Sequence, residues 1–167
     1  GAQIVEGGDL VFGITMSGTS DEDVTVNWSM TLNGSAEAGD LASPIVYSGS
    51  VVIPAGSTTG SITIPTFDDS LFEGGAGSFE DLTMTLTSAS GADLGSTTSV
   101  TGLIEDNEGT PVVNLDQADG IGAQIVEGGD LVFGITMSGA SDEDVTVNWT
   151  MTLNGSAEAG DLASPIV

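Results

Sequence analysis

No lysine, arginine or histidine occurs in this 167-residue chain, against 25 aspartates and glutamates, so its formal charge is −25. That balance argues against a nucleic-acid partner, because neutralising phosphates takes cationic side chains. Anionic membrane surfaces are disfavoured for the same reason. Cysteine is also absent. Disulfides and thiolate metal sites are therefore excluded, and redox compartment cannot be read. Without lysine there is no Lys–Asn isopeptide crosslink either, so whatever stiffens the protein is non-covalent or metal-based. The only catalytic chemistry left is that of carboxylates. Paired carboxylates hydrolyse glycosides, but aromatic sugar platforms are scarce at 5% of residues. The chain is not expected to be an enzyme. No apolar run approaches the roughly 18 residues that span a bilayer, and Gly1 does not begin a signal peptide. Any secretion signal is expected outside these residues.

A surface of one charge sign repels itself, and salt or bound divalent cations relieve the repulsion. The expected setting is a salty, calcium-containing exterior: extracellular or at the cell surface. Acidity alone would suit a disordered tail, but hydrophobic residues make up 39% of the chain and fall in periodic runs. A packed core is therefore expected.

An internal repeat organises the chain. Gly1 to Val46 recurs as Gly122 to Val167, with Thr19→Ala140 and Ser29→Thr150 the only differences. Near-identity of this kind means a tandem array, read here as one period plus the opening of the next. The boundaries expected are a domain over 1–107 lacking its first half-strand, a linker at 108–111, and a truncated next repeat over 112–167. The natural polypeptide is expected to continue at both ends.

Within the period, strand signals alternate with turn signals. Leu10, Phe12, Ile14 and Met16 alternate with Val11, Gly13 and Thr15, giving one apolar face. Val24, Val26, Trp28, Met30 and Leu32 do the same, with Trp28 the largest core candidate. Further strands are expected at Val51 to Ile53, Ser61 to Thr66, Leu82 to Thr87 and Ser99 to Ile104. Val112 to Leu115 and Ala123 to Val126 read as the split first strand of the second copy. Helical periodicity is absent over any useful length, so the fold class is all-β, an antiparallel sandwich in tandem repeat. Thr83, Thr85 and Thr87 read as a solvated sandwich face, not a binding array.

The densest acidic stretch is Phe67-Asp68-Asp69-Ser70-Leu71-Phe72-Glu73. Clustered carboxylates suit a hard cation, and calcium takes six to eight oxygens in flexible geometry from irregular loops. Other candidates fall at strand ends: Glu6, Asp40 and Asp106. Alternate strands run in opposite directions, so these loops are expected at one pole. The loops at Asp21-Glu22-Asp23, Pro54 to Thr58 and Ser90 to Gly95 are expected at the other. The plainer alternative is that loop-tip carboxylates are solvated and solubilising.

Five elements in order resemble the Calx-beta family: Val5-Glu6-Gly7-Gly8 with the strand after it, Ala38-Gly39-Asp40, Ile53-Pro54-Ala55-Gly56-Ser57, Asp68 to Glu73, and Ile104-Glu105-Asp106-Asn107. The resemblance covers the whole period. It implies a seven-stranded immunoglobulin-like sandwich with calcium ligands at Glu6, Asp40, Asp68, Asp69, Glu73 and Asp106, and the Leu71 carbonyl as a backbone ligand. Asn107 stands where a further aspartate is common, which implies fewer ions or weaker binding.

The function expected is a structural extender or filament-forming repeat of a secreted bacterial surface protein, rigidified by calcium. Its partners would be neighbouring repeats of the same protein, in a homopolymer if it self-assembles, without nucleic acid or membrane insertion. Two alternatives stand beside it: an adhesin module that binds a glycan or surface protein, and a self-assembling fibre subunit with strand exchange.

Overall fold

The computed structural model describes residues 1–34, 36–74, 78–116 and 126–162. Contacts divide the chain into two units, Gly1–Thr110 and Pro111–Val167. Within the described residues the structure is all-β, apart from one 3-10 turn at Ala159–Asp161. None of its helices is long and apolar enough to cross a membrane.

The first unit contains β1 (Ala2–Val5), β2 (Asp9–Thr15), β3 (Val24–Asn33), β4 (Ser48–Ile53), β5 (Thr59–Pro65), β6 (Leu71–Phe72), β7 (Phe79–Ser90) and β8 (Ser99–Glu105). One layer is a five-stranded sheet in the order β1-β8-β7-β3-β4, and the facing layer is the antiparallel pair β2-β5. Alternation drives this arrangement. In β2, Leu10, Phe12 and Ile14 are buried while their neighbours are exposed, and in β3 Val24, Val26, Trp28 and Met30 point inward. These side chains meet Ile53, Ile62, Ile64, Leu82, Met84 and Ile104 in one core. An apolar face on each sheet can be removed from water only by stacking the two.

Close packing is paid for with glycines at two core-facing points. A Cβ on Gly102 in β8 would stand 2.6 Å from Phe12 Cζ and 2.7 Å from Leu10 Cδ2. On Gly49, opposite Trp28 in the β3–β4 ladder, it would stand 2.9 Å from the indole. The ladder between β3 and β7 shifts register at Asn27/Trp28, where Trp28 enters the core.

The strand β1 pairs in parallel with β8, from Ala2↔Gly102 to Val5↔Glu105. That pairing leads the chain directly to Glu6, whose N–H continues the ladder to the Glu105 carbonyl at 3.1 Å. At the opposite pole the Asp21–Asp23, Pro54–Thr58 and Ser90–Gly91 turns meet. Ala55 N–H donates to Asp23 Oδ1 at 2.9 Å, and Gly91 lies beside the Asp23 carbonyl.

In the second unit, β9 (Val113–Asp116) pairs antiparallel with β10 (Gly134–Met137). The repeated sequence adopts less structure here than in the first copy. Residues 145–151 match β3 of the first unit but form no strand, and Trp149 is 63% exposed where its counterpart Trp28 is 8% exposed. The first copy's segment is held by β4 and β7, whose sequences have no second copy within these 167 residues. Strand formation depends on such neighbours. The second-copy half-strand expected at Ala123 to Val126 and the end of that copy at Ile166-Val167 lie outside the described residues, Val126 excepted, which is not in a strand.

Candidate metal centre

Backbone hydrogen bonds at the end of β5 gather the acidic pole. Thr66 donates its N–H and its hydroxyl to the Gly8 carbonyl, both at 2.8 Å, which fixes the turn carrying Glu6. One residue on, Phe67 N–H donates to the Asp40 carbonyl at 2.8 Å, which brings in the loop after β3. Gly7 sits in this turn with φ 77°, and a Cβ there would come within 2.7 Å of Asp68 Cβ. The close approach and the left-handed backbone both call for glycine.

Among the described residues, two clusters of carboxylates form at this pole. Oxygens of Glu6, Asp106 and Glu108 lie within 4.8 Å of one another, as do oxygens of Asp40, Glu73 and Glu80. The groups are linked, because the Glu73 N–H donates to Asp106 Oδ2 at 2.9 Å. Asp106 also accepts the Glu108 N–H through Oδ1 at 2.8 Å. Glu6, Asp40, Glu80 and Asp106 are all buried, which is unusual for carboxylates in a chain without a cationic side chain.

Of the residues expected at the site, Glu6 and Asp106 are brought together in the first group, and Asp40 and Glu73 in the second. The carboxylates of Asp68 and Asp69 belong to neither group among the described residues. Asp68 Oδ1 accepts from the Asn107 side-chain amide at 2.9 Å, and Asp69 Oδ1 accepts the Leu71 N–H at 2.7 Å, a local turn. Asn107 has a role of its own, since its N–H also reaches Glu6 Oε1 at 3.3 Å. It joins two acidic loops by donating where an aspartate would only add repulsion.

Glu80 and Glu108 are the members that sequence reasoning missed. Glu80 was legible: 80, 82 and 84 share the core-facing parity of β7, but the expected strand began only at Leu82. Glu108, assigned by sequence to the connecting segment, carries no periodic signal. Only its backbone bond to Asp106 turns it inward.

The electrostatics are those of acceptors crowded without donors. Burial, then the Asp40 carboxylate at hydrogen-bond range, then the charges of Glu73 and Glu37 push Glu80 from 4.5 up to about 9. Contact with the Glu6 carboxyl, then burial, then Asp106 push Glu108 up to about 8. Glu108 Oε2 is buried with no hydrogen-bond donor among the described residues. Such an oxygen calls for a proton, a bound cation or an ordered water in place of the donor. The carboxylate-only donor set and oxygen spacing fit a hard cation such as calcium, whose ligand distances are about 2.3–2.6 Å. They do not fit a soft metal.

No protein-family model matches this chain, and no curated protein does. Solved structures are similar to it. The crystal structure of the calcium binding domain CBD12 of CALX1.1 matches at 23% identity with a TM-score of 0.52, covering 63% of this chain and 42% of that one. CBD12 from CALX1.2 matches at 23% identity and a TM-score of 0.53, over 64% and 42% of the two chains. The apo form of the Calx CBD1 domain matches at 22% identity and a TM-score of 0.52, over 64% of this chain and 89% of that domain. This chain thus spans less than half the length of the two CBD12 structures.

Proposed function

With the Calx-beta fold as premise, we propose that the chain is a structural repeat whose acidic pole binds calcium, and that the bound ion stiffens it. The reading extends to a non-enzymatic extender or filament segment of a secreted bacterial surface protein, working outside the cell beside other repeats of the same chain. The single observation that carries the cation is the Glu6, Asp106 and Glu108 group, in which Glu108 Oε2 is buried with no hydrogen-bond donor among the described residues. Glu6, Asp106 and Glu108 would hold one ion, and Asp40, Glu73 and Glu80 a second. Near-identical repetition favours a mechanical role, since a spacer gains from repeating one unit.

The ion supplies positive charge where the chain has none. These residues come from the turn after β1, the loop after β3, the segment between β6 and β7, β7 itself and the segment after β8. Without the ion, mutual repulsion pushes those segments apart. Binding selects the closed arrangement and stabilises it by mass action, by about 2.7 kcal/mol per site at free calcium a hundredfold above Kd. That is a sizeable share of ordinary domain stability.

The test is thermal unfolding of the full chain at low ionic strength, in calcium, in chelator, and in chelator with sodium chloride matched for ionic strength. Calcium is expected to raise the midpoint well beyond the sodium chloride control. Equal midpoints in calcium and chelator would defeat the proposal, and equal effects of the two salts would reduce it to screening.

A further inference from the structure

Of the chain's asparagines only Asn33 and Asn154 are followed by glycine, and both stand in the same local sequence, Thr-Leu-Asn-Gly-Ser-Ala. Asparagine before glycine is the dipeptide most open to self-modification, because a residue without a side chain lets its backbone nitrogen approach the asparagine Cγ. Here the turn demands the glycine. Gly34 has φ 58° and Gly155 φ 68°, while a Cβ on Gly34 would meet nothing closer than Asp81 Oδ1 at 3.7 Å. Left-handed backbone, not crowding, keeps glycine after the asparagine. The turn that ends β3 therefore carries a reactive pair as a consequence of its shape. The two copies differ in what holds the asparagine. Asn33 is half-buried, and its Nδ2 donates to Thr83 Oγ1 at 2.8 Å and to Asp81 Oδ2 at 3.1 Å, both on β7. Asn154 is exposed, and among the described residues its Nδ2 reaches the Thr152 carbonyl of its own segment at 3.5 Å, the outer limit of a hydrogen bond.

We propose that Asn33 is a self-modification site gated by β7: Asp81 and Thr83 pin its amide, and the side chain is converted when this end of the β3–β7 ladder opens. In the open state the Gly34 nitrogen attacks Asn33 Cγ. A bond forms between them, the Gly34 N–H proton passes through solvent to Nδ2, the Cγ–Nδ2 bond breaks and ammonia leaves. Water then adds to either carbonyl of the resulting cyclic imide and opens it, leaving aspartate or isoaspartate at position 33. The sum is an amide and water giving a carboxylate and ammonium. No oxidant, metal or second protein is required.

The product changes the gate that controlled it. A carboxylate at position 33 loses both donations and faces Asp81 as a like charge across the pair Asn33↔Asp81 of the β3–β7 ladder. The isoaspartate form also lengthens the backbone just where the Asn33 carbonyl receives the Ala36 N–H at 3.0 Å, at the head of the loop that carries Asp40. An end that has opened and been converted closes less well than before. The modification thus records opening irreversibly, and an old chain carries a looser β3–β7 end than a new one. None of the clustered carboxylates at the acidic pole takes part in the gate.

The two copies supply their own clock, since identical flanking residues give both asparagines the same intrinsic rate. The test ages the full chain at neutral pH, natively and in concentrated urea, and then cuts it after glutamate. Asn33 and Asn154 emerge in peptides 23–37 and 144–158, which differ in mass because Ser29 in one is Thr150 in the other. Mass spectrometry follows the change from amide to acid in each. In urea the two rates are expected to agree within about twofold, because no gate remains. In the folded chain Asn33 is expected to convert about tenfold or more slowly than Asn154, the scale of two hydrogen bonds of which one goes to a charged group. Thr83→Val, which keeps a good strand former in β7, should raise the native Asn33 rate several-fold, and Asp81→Ala with Thr83→Val should carry it most of the way to that of Asn154. A melting curve of each variant checks that the first unit remains folded. Equal native rates at the two asparagines, or a native Asn33 rate unchanged in the folded Thr83→Val chain, would overturn the proposal.

Discussion

The Asn107 side-chain amide donates to Asp68 Oδ1 at 2.9 Å, which ties the segment after β8 to the loop after β5. A second bond, from the Asn107 N–H to Glu6 Oε1, brings the turn before β2 into the same junction. A neutral donor thus holds together loops that their charges would separate. Asn107→Asp removes the amide donor and adds an acceptor. In chelator its midpoint should fall, by the equivalent of about 1 kcal/mol for the lost bond and more for the added repulsion. In saturating calcium the gap to the parent should shrink or reverse, because the new carboxylate adds charge to the binding pole. Parallel melting curves of the two proteins with and without calcium measure this.

The pH dependence has an unusual sign for a carboxylate-rich protein. Glu80 and Glu108 hold their protons more tightly in the folded state, at about 9 and about 8 against an ordinary 4.5. The folded chain therefore binds more protons than the unfolded one between these values, and its stability falls as pH rises. Their contribution is complete below 4.5 and is lost as pH climbs through 8 to 9. In chelator the midpoint should drop steadily from pH 5 to pH 9. Calcium should flatten that slope, since it replaces the protons. The Glu80→Gln, Glu108→Gln double variant should also flatten it in chelator, and a pH series of melting curves checks both.

Gly102 tests the packing of the two layers independently of charge. Its missing Cβ leaves room for Phe12 and Leu10 on the facing strand. Gly102→Ala should cost about 1–3 kcal/mol by overpacking, several degrees in midpoint for a unit of this size. The loss should be equal with and without calcium, because the site lies elsewhere.

Much of the fold was legible because one rule wrote it. Apolar alternation placed β2, β3, β5 and β8 to within two residues, and the mixed strand ends placed Glu6, Asp40 and Asp106 at one pole. The same rule fails where pairing is set by partners distant in sequence. Residues 145–151 repeat a strand pattern and form none, because the strands that hold their counterpart are not repeated within the chain. At the site, charge density drew attention to Asp68 and Asp69, which lie exposed at the loop tip. The inward carboxylates were less conspicuous. Glu80 sits at the end of a core-facing row, and Glu108 follows a backbone bend that periodicity does not encode.

Charge removal at the two poles provides the most direct test that the acidic pole coordinates calcium. Glu6→Gln with Glu108→Gln deletes two carboxylates from the proposed site, while Asp21→Asn with Glu22→Gln deletes two from the opposite pole. Calorimetric titration of calcium into each full-length variant compares equal losses of charge. Coordination predicts that the first pair weakens binding by about tenfold or more, and that the second leaves it within about twofold of the parent, as expected for screened charges. If both pairs weaken calcium binding equally, the pole is an acidic surface and not a metal centre.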